Sequence, residues 1–146
     1  MKKVSIAVIG CGRIGQMHAK NVQLHENTNL ACIYDPNDEF AKKISIDLSV
    51  QAVKNVDEIF NNNEIDAVLI SSPTNTHIDF IEKSVASKKP VFCEKPIDLD
   101  IHKVNECSKR LEGNTIPIQL GFNRRFDPGH QAAKESLTNG EIGDLH

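Results

Sequence analysis

The sequence predicts an α/β fold in which helices cover both faces of a mostly parallel, doubly wound sheet. Six short apolar segments alternate with segments of helical periodicity along the 146 residues, and this alternation is typical of β-α-β units. A glycine-rich turn directly follows the first apolar segment. Because such a turn marks the ligand crevice of one common sheet topology, we predict the strand order 3-2-1-4-5-6.

The predicted strands are short, mostly apolar and bounded by polar or turn-forming residues. Pro117 lies in the last of them. Since proline cannot donate a hydrogen bond to a neighbouring strand, we expect this strand at an edge of the sheet. The six predicted strands comprise residues 4–9, 30–34, 51–53, 66–70, 90–93 and 116–120.

The predicted helices begin at residues that can cap a helix N-terminus. Asn37 and Asp100 each precede a segment of helical periodicity, and Asp127 is followed by a proline at the first helical position. Asn55 and Glu58 have the spacing of a capping box. The helical segments run from 13 to 24, from 37 to about 48, briefly after 55, from about 77, and from 100 to about 111.

Composition excludes several classes of function. The chain has 17 basic and 20 acidic side chains, a net charge of −3, and no long run of either sign. This balance argues against nucleic acid or an anionic membrane as a partner, and no apolar stretch approaches transmembrane length. The four cysteines form no C-x-x-C pair. We therefore expect reduced, packed thiols in a cytoplasmic protein, and no metal site.

Gly10, Gly12 and Gly15 have the G-x-G-x-x-G spacing at the junction between the first strand and the first helix. The first glycine permits the tight turn, the second lets a pyrophosphate approach the backbone, and the third lets the helix lie close to the sheet. The N-terminus of that helix would direct unpaired N–H groups at the phosphates. Alone, this spacing can also belong to an ordinary turn.

Asp35 ends the second predicted strand, 20 residues after Gly15. A carboxylate at this position can accept hydrogen bonds from both hydroxyls of an adenine ribose and repels a 2′-phosphate. The alternative is an aspartate that starts a turn before Pro36. Together with the glycine loop, Asp35 predicts a dinucleotide site of the Rossmann type that binds NAD in preference to NADP.

Polar loops follow the fourth and fifth predicted strands, at residues 71–77 and 94–96. Ligands of such sheets bind outside the carboxyl ends of the strands, so both loops are expected to reach the nicotinamide end of the cofactor. His77 has two interpretations, as a cofactor contact and as a residue on a helix face. The same helix would place Phe80, Ile81 and Ser84 on the face of His77.

Lys95 lies in the second of these loops. Held at a strand end inside a crevice, its ammonium can hydrogen-bond a substrate hydroxyl and stabilise a developing alkoxide. The alternative is a lysine on a solvated loop. After the sixth strand, Arg124 and Arg125 stand beside Asn123 and Asp127 in a combination that suits a polyhydroxylated or anionic ligand, or else forms a solvated loop before a helix.

Taken together, five segments resemble the N-terminal domain of the Gfo/Idh/MocA oxidoreductases, and most closely their inositol dehydrogenase branch. The resemblance covers essentially the whole chain, and the E-K-P triplet at 94–96 is its most specific motif beside the glycine loop. The segments are residues 10–15, Asp35, residues 72–77, residues 93–96 and residues 121–127.

The resemblance implies NAD-dependent oxidation of a secondary alcohol on a cyclitol or sugar, in the inositol branch of myo-inositol to 2-keto-myo-inositol. Two alternatives remain open: a sugar or sugar-phosphate oxidoreductase of the same family, and a non-catalytic dinucleotide-sensing regulator of the same fold.

The resemblance also implies roles for individual residues. Lys95 would be catalytic and would contact substrate, together with Arg124 and Arg125. The residues expected to bind the cofactor are Gly10, Gly12, Arg13, Ile14, Gly15, Asp35, Ser72, Pro73, Thr74, Asn75, His77, Glu94 and Lys95.

Members of this family are more than twice as long as this chain, and a second domain built on an antiparallel sheet supplies an Asp, a His and the oligomer interface. We therefore expect residues 1–125 to form the dinucleotide-binding domain and residues 126–146 to begin the connection to a C-terminal domain. By the same resemblance, the full-length protein is expected to be a homo-oligomer, and this part alone to bind NAD without turnover.

Overall fold

The computed structural model describes residues 2–144 and contains a five-stranded sheet in which every neighbouring pair is parallel. The spatial order is β2-β1-β3-β4-β5. This arrangement confirms the predicted fold class. The strands are β1 (Val4–Ile9), β2 (Thr28–Tyr34), β3 (Ala67–Ile70), β4 (Val91–Cys93) and β5 (Ile118–Leu120).

Residues 2–144 also form six helices and two short 3₁₀ turns, of which the last helix and the second turn follow the last strand. Each cap predicted from Asn37, Asp100 and Asp127 forms, because each of these side chains accepts a hydrogen bond from a backbone N–H in the first turn. The 3₁₀ turns are Thr74–Thr76 and Asn123–Phe126. The helices are α1 (Arg13–Leu24), α2 (Asp38–Leu48), α3 (Asp57–Asn61), α4 (His77–Ala86), α5 (Ile101–Arg110) and α6 (Pro128–Thr138).

The predicted strand at residues 51–53 is wrong as a full strand. Only Ala52 pairs with β2, in a single parallel bridge to Ile33. Two backbone hydrogen bonds accompany the bridge, from Ile33 N to Gln51 O and from Val53 N to Ile33 O, both 3.0 Å long. The segment buries Val53 but leaves Gln51 exposed, so it has too little apolar surface to extend the pairing. If the segment around this bridge is counted as the third strand, β3, β4 and β5 become the fourth, fifth and sixth. The spatial order is then the predicted 3-2-1-4-5-6.

The core consists of two apolar clusters, one on each face of the sheet. Successive residues of a strand point to opposite faces, so Val68 and Ile70 pack with α3 and α4 while Leu69 packs with α1 and α2. Both faces of the central strands are therefore buried. This explains why their sequences are continuous apolar runs rather than alternating ones.

The edge of the sheet at β5 is less covered. Pro117 precedes this strand, as expected for an edge. The last helix, α6, packs against the 3₁₀ turn before it and contains no buried residue. Across residues 2–144, no helix combines the length and the apolar character needed to cross a bilayer.

Candidate active site

The turn between β1 and α1 requires glycine at two positions. Gly10 has a φ of +95°, and a side chain there would collide with the backbone of Ser72. A Cβ on Gly15 would overlap the carbonyl oxygen of Gly10. These contacts bring α1 directly against the end of β1, as the spacing predicts.

Gly12 differs from the other two glycines because nothing lies within 4 Å of where its Cβ would be. It is the N-cap residue of α1 and offers no side-chain cap, so the first N–H groups of the helix remain open to a ligand. This open face at a helix N-terminus is suited to an anionic group such as a pyrophosphate.

The carboxylate of Asp35 is held against this turn by two backbone groups. Cys11 N donates to Oδ2 over 2.7 Å, and Asn37 N donates to Oδ1 over 2.8 Å. Each oxygen keeps a second lone pair free for another donor. Asp35 is therefore a fixed acceptor next to the glycine loop, the arrangement that an adenine ribose requires.

These residues line a cavity of about 450 Å³ at the carboxyl ends of β1, β2 and β3. Seven of the predicted cofactor residues lie on its wall: Gly10, Gly12, Arg13, Ile14, Asp35, Ser72 and Pro73. Ser71 and Thr76, which belong to the polar loop predicted at 71–77, also lie on this wall. Sequence reasoning missed five further residues: Ile9, Tyr34, Pro36, Phe40 and Phe80.

Phe40 and Phe80 are the most informative of the missed residues, since they belong to α2 and α4, where helical spacing by itself indicates packing rather than a ligand contact. Phe40 is 46% exposed, and its exposure beside Asp35 leaves an apolar wall for a flat ring. Pro36 could have been predicted as a residue of the cavity wall, since it directly follows Asp35. The cavity thus combines an apolar wall, a carboxylate and a helix N-terminus, and this set fits NAD.

Hydroxyl groups fix the loop after β3 that forms one wall of the cavity. Ser71 Oγ donates to Gly10 O over 3.0 Å, which binds this loop to the glycine turn. The hydroxyls of Ser72 and Thr76 are 2.6 Å apart, and Thr76 also donates to Pro73 O. Thr74 and Asn75, which were predicted to bind cofactor, lie in the 3₁₀ turn and outside the wall of this cavity.

His77 is buried behind that loop, at 2% exposure. Its Nε2 lies 2.9 Å from Ser72 O, and its Nδ1 lies 2.7 Å from Pro96 O. The ring therefore joins the loop after β3 to the loop after β4 and does not line the cavity. The structure places His77 on a buried face of α4, with a backbone carbonyl oxygen near each ring nitrogen.

The E-K-P triplet leaves the carboxyl end of β4, next to the glycine-loop helix. Glu94 Oε1 lies 2.8 Å from Nε2 of His18, a residue of α1 that sequence reasoning missed. His18 follows Gly15 by three positions, so both face the same side of the helix, and this spacing is the signal that could have found it. The Lys95–Pro96 peptide bond is cis.

Lys95 lines a second cavity, of about 650 Å³, with Phe122, Asn123, Arg124 and Arg125. The structure thus brings together the three residues predicted to contact substrate. Arg124 Nη1 lies 3.3 Å from Asp127 Oδ2. The pKa of Asp127 is lowered to about 2, chiefly by hydrogen bonds from the ring and the backbone of His130.

The cavity geometry agrees with a comparison of the sequence with known families. Residues 4–122 match the GFO_IDH_MocA model, described as an oxidoreductase family with an NAD-binding Rossmann fold. The chain belongs to this family. Its fold, its glycine loop and its cofactor type are those of the family, which confirms the resemblance predicted from the motifs.

Curated members of the family include relatives of this chain that act on inositols. The inositol 2-dehydrogenase of Rhizobium meliloti (strain 1021) is 38% identical over 142 residues, covering 97% of this chain and 43% of that protein. The scyllo-inositol 2-dehydrogenase (NAD(+)) of Bacillus subtilis (strain 168) is 36% identical over 143 residues, covering 97% and 42%. The chain therefore spans less than half the length of these relatives.

A solved structure also relates this chain to an inositol dehydrogenase. The scyllo-inositol dehydrogenase of Lactobacillus casei, crystallised with NAD(H) and scyllo-inositol, superposes with a TM-score of 0.88 at 33% identity. The match covers 98% of this chain and 43% of that one. Like the sequence comparisons, it relates this chain to one part of a longer dehydrogenase.

Proposed function

We propose that the full-length protein is an NAD-dependent dehydrogenase that oxidises a secondary alcohol of a cyclitol, namely myo-inositol to 2-keto-myo-inositol. The observation that carries this proposal is the placement of Lys95. It lies at the carboxyl end of β4 and lines a cavity with two arginines, while the cofactor cavity lies at the carboxyl ends of β1, β2 and β3. The inositol dehydrogenases that the chain resembles support this choice of substrate.

In this proposal the chain holds NAD from the glycine loop toward β4. The N-terminus of α1 at Gly12 and Arg13 binds the pyrophosphate, and Asp35 binds the adenine ribose. The apolar wall formed by Phe40 and Phe80 lies beside the adenine. Ser72, Pro73, Thr74, Asn75 and the E-K-P loop at 94–96 then border the nicotinamide half.

Lys95 acts on the substrate hydroxyl. When bound, NAD accepts the hydride that leaves the carbinol carbon. As the hydroxyl proton leaves, the Lys95 side chain hydrogen-bonds the oxygen and stabilises the developing alkoxide. By resemblance to the family, the final proton acceptor is a histidine outside this chain.

Arg124 and Arg125 supply donors for a polyhydroxylated ring. A guanidinium presents five N–H groups in a fixed plane, and a cyclitol offers an acceptor at every hydroxyl. Arg124 Nη1 lies 3.3 Å from Asp127 Oδ2, and both arginines are exposed. We propose that both contact substrate once the rest of the pocket is in place.

The remaining organisation follows from the length of the relatives. We propose that residues 1–125 form the cofactor domain and that residues 126–146 lead into a C-terminal domain which completes the substrate pocket. In the full-length protein this second domain would form a homo-oligomer. We also propose a cytoplasmic location, with a small-molecule partner and without nucleic acid or membrane.

Replacing Lys95 by Ala in the full-length protein tests the enzymatic role. We expect kcat for NADH formation from myo-inositol to fall by about a hundredfold or more, because a positioned acid–base group contributes that much. The Kd for NAD should stay within about twofold, since the glycine loop and Asp35, which hold the pyrophosphate and the adenine ribose in this proposal, are unchanged. Steady-state kinetics over a panel of cyclitols and sugars, together with an NAD titration, measure both quantities.

Lys103→Ala is the matched control, because Lys103 is an exposed lysine on α5 away from both cavities. It should leave both constants unchanged. A wild-type protein that binds NAD but oxidises no member of the panel would contradict the proposal and favour the dinucleotide-sensing regulator. Oxidation of a sugar or sugar phosphate without activity on inositols would favour another branch of the family.

A further inference from the structure

The contact between His18 and Glu94 joins two elements that serve different parts of the proposed reaction. His18 belongs to α1, whose N-terminus faces the pyrophosphate position, and Glu94 directly precedes Lys95. The two side chains are only 15% and 21% exposed. Because a carboxylate can only accept a hydrogen bond, the ring donates from Nε2 whether or not it is charged. A partly buried hydrogen bond therefore connects the cofactor helix to the lysine loop.

The surroundings of Glu94 form a niche for its carboxylate. The edge of the Phe92 ring lies against the His18 ring, with centroids 5.5 Å apart and planes at 63°. On the other side, a Cβ at Gly121 would lie only 3.2 Å from Glu94 Cδ and 3.1 Å from Phe92 Cζ. The glycine thus leaves the space that the carboxylate occupies. Residues from α1, β4 and the segment after β5 together determine where Glu94 points.

The second oxygen of Glu94 acts on the backbone of the lysine. Oε2 lies 3.3 Å from Lys95 N, and Glu94 N donates to Ile70 O over 2.9 Å. Lys95 is exposed, and the contact from Glu94 reaches its backbone N–H. The backbone position of Lys95 is therefore supported by a carboxylate that His18 holds in place.

We propose that His18 and Glu94 are a positioning pair for Lys95, which transmits the position of the cofactor helix to the lysine. The inferred geometry of the lysine loop does not depend on the proposed function. The expected effect on turnover rests on it, because turnover requires the proposed dehydrogenase activity. A pyrophosphate bound at the N-terminus of α1 fixes that helix, and the hydrogen bond extends this order to residues 94–95. Neither side chain of the pair lines the cofactor cavity or the cavity of Lys95.

Three variants of the full-length protein test the pair: His18→Ala, His18→Gln and Glu94→Gln. A glutamine Nε2 reaches the position of the histidine Nε2, so His18→Gln keeps the donor that His18→Ala removes. We expect His18→Ala to lower kcat roughly tenfold to a hundredfold, as a displaced catalytic group does, with little change in KM for NAD. His18→Gln should restore most of kcat, and Glu94→Gln, which keeps an acceptor, should be intermediate.

Amide hydrogen exchange separates this inference from the proposed function, because it does not depend on turnover. In His18→Ala the amide of Lys95 should exchange about tenfold faster than in the wild type, and in His18→Gln it should return toward the wild-type rate. His102→Ala, at an exposed histidine of α5, is the matched control and should change neither exchange nor kcat.

Three outcomes would overturn the positioning role. Unchanged Lys95 exchange in His18→Ala would do so whatever the enzyme activity. Equal losses of kcat in His18→Ala and His18→Gln, accompanied by an equal fall in Tm, would show a merely structural contact. A rise in KM for NAD with kcat unchanged would assign His18 to cofactor binding. Faster exchange in a protein that oxidises no alcohol would instead support the pair and contradict the proposed dehydrogenase.

Discussion

Asp35 shows how backbone partners fix the orientation of one side chain. Free aspartates on a surface rotate, but both oxygens of Asp35 accept hydrogen bonds from backbone N–H groups, of Cys11 and Asn37. The orientation of the carboxylate is therefore set before a ligand arrives, which lowers the entropy cost of binding. A 2′-phosphate placed at the same position would meet a fixed negative charge.

Replacing Asp35 by Ser should therefore weaken NAD and relax the discrimination against NADP. Loss of a charged acceptor for the ribose hydroxyls should raise the Kd for NAD by about tenfold, or ~1.4 kcal/mol. The Kd for NADP should fall toward that of NAD. Parallel calorimetric titrations with the two cofactors measure the change, with the exposed Asp47→Ser on α2 as a control. Equal affinities for both cofactors in the wild type would contradict the role of Asp35.

Among the elements, α1 carries the most function, because three residues between positions 12 and 18 each serve a different purpose. Gly15 brings the helix against the Gly10 carbonyl, Gly12 leaves its N-terminus open, and His18 reaches the end of β4. Sequence spacing alone predicted the bounds of this helix, at 13 and 24. Neighbouring glycines in this motif nonetheless have different physical roles.

The variants Gly15→Ala and Gly12→Ala should separate those roles. A methyl group at Gly15 overlaps backbone, so we expect a loss of about 1–3 kcal/mol in the free energy of unfolding, as overpacking causes. At Gly12 the methyl group meets no protein atom. The stability should there change by less than about 1 kcal/mol, while NAD binding is lost because the pyrophosphate is excluded.

Urea unfolding and an NAD titration on both variants distinguish these effects. A Gly12→Ala protein that binds NAD normally would show that the pyrophosphate does not approach the backbone at this turn. If Gly15→Ala were as stable as the wild type, the tight contact between α1 and β1 would not be required.

At the scale of the whole molecule, the fold buries its cysteines as neutral thiols. All four are free and buried. Burial raises the pKa of Cys11 and Cys93 to about 12 and that of Cys32 to about 11, with nearby carboxylates adding to the shift. These thiols therefore pack as small apolar groups, as their spacing predicted, and are poor nucleophiles at neutral pH.

This burial predicts a loss of stability in alkali. A raised pKa means that the folded state keeps its protons while the unfolded state, at the ordinary value of 9.0, releases them. The contribution of the thiols is fully present below pH 9 and declines as the pH rises toward 12, by about 1 kcal/mol per thiol and pH unit. Urea unfolding between pH 7 and about 10.5 measures the slope.

A variant with Cys32→Ala and Cys93→Ala provides the comparison, since lysine and tyrosine titration contributes equally to both proteins. Its free energy of unfolding should fall less steeply above pH 9 than that of the wild type. Identical slopes in the two proteins would show that the thiols do not remain neutral in the fold.

The sequence alone determined the features that depend on local geometry. Glycine spacing located the turn and α1, because only glycine tolerates the conformation of Gly10 and the close approach at Gly15. The caps at Asn37, Asp100 and Asp127 were predictable because an N-cap side chain binds a backbone group two or three residues away. The position of Asp35 beside the glycine loop was predictable from its place in the sequence, 20 residues after Gly15.

Tertiary structure decided the features that depend on distant partners. His77 and His18 bind groups 19 and 76 positions away, and nothing in their local sequence reveals those partners. Phe40 and Phe80 have the same helical spacing as core residues, but the relative placement of α2 and α4 makes them walls of the cofactor cavity. The segment 51–53 has strand-like residues, yet in the packed fold only Ala52 pairs with β2. Periodicity shows which side of an element is apolar, whereas only the packed fold shows what that side faces.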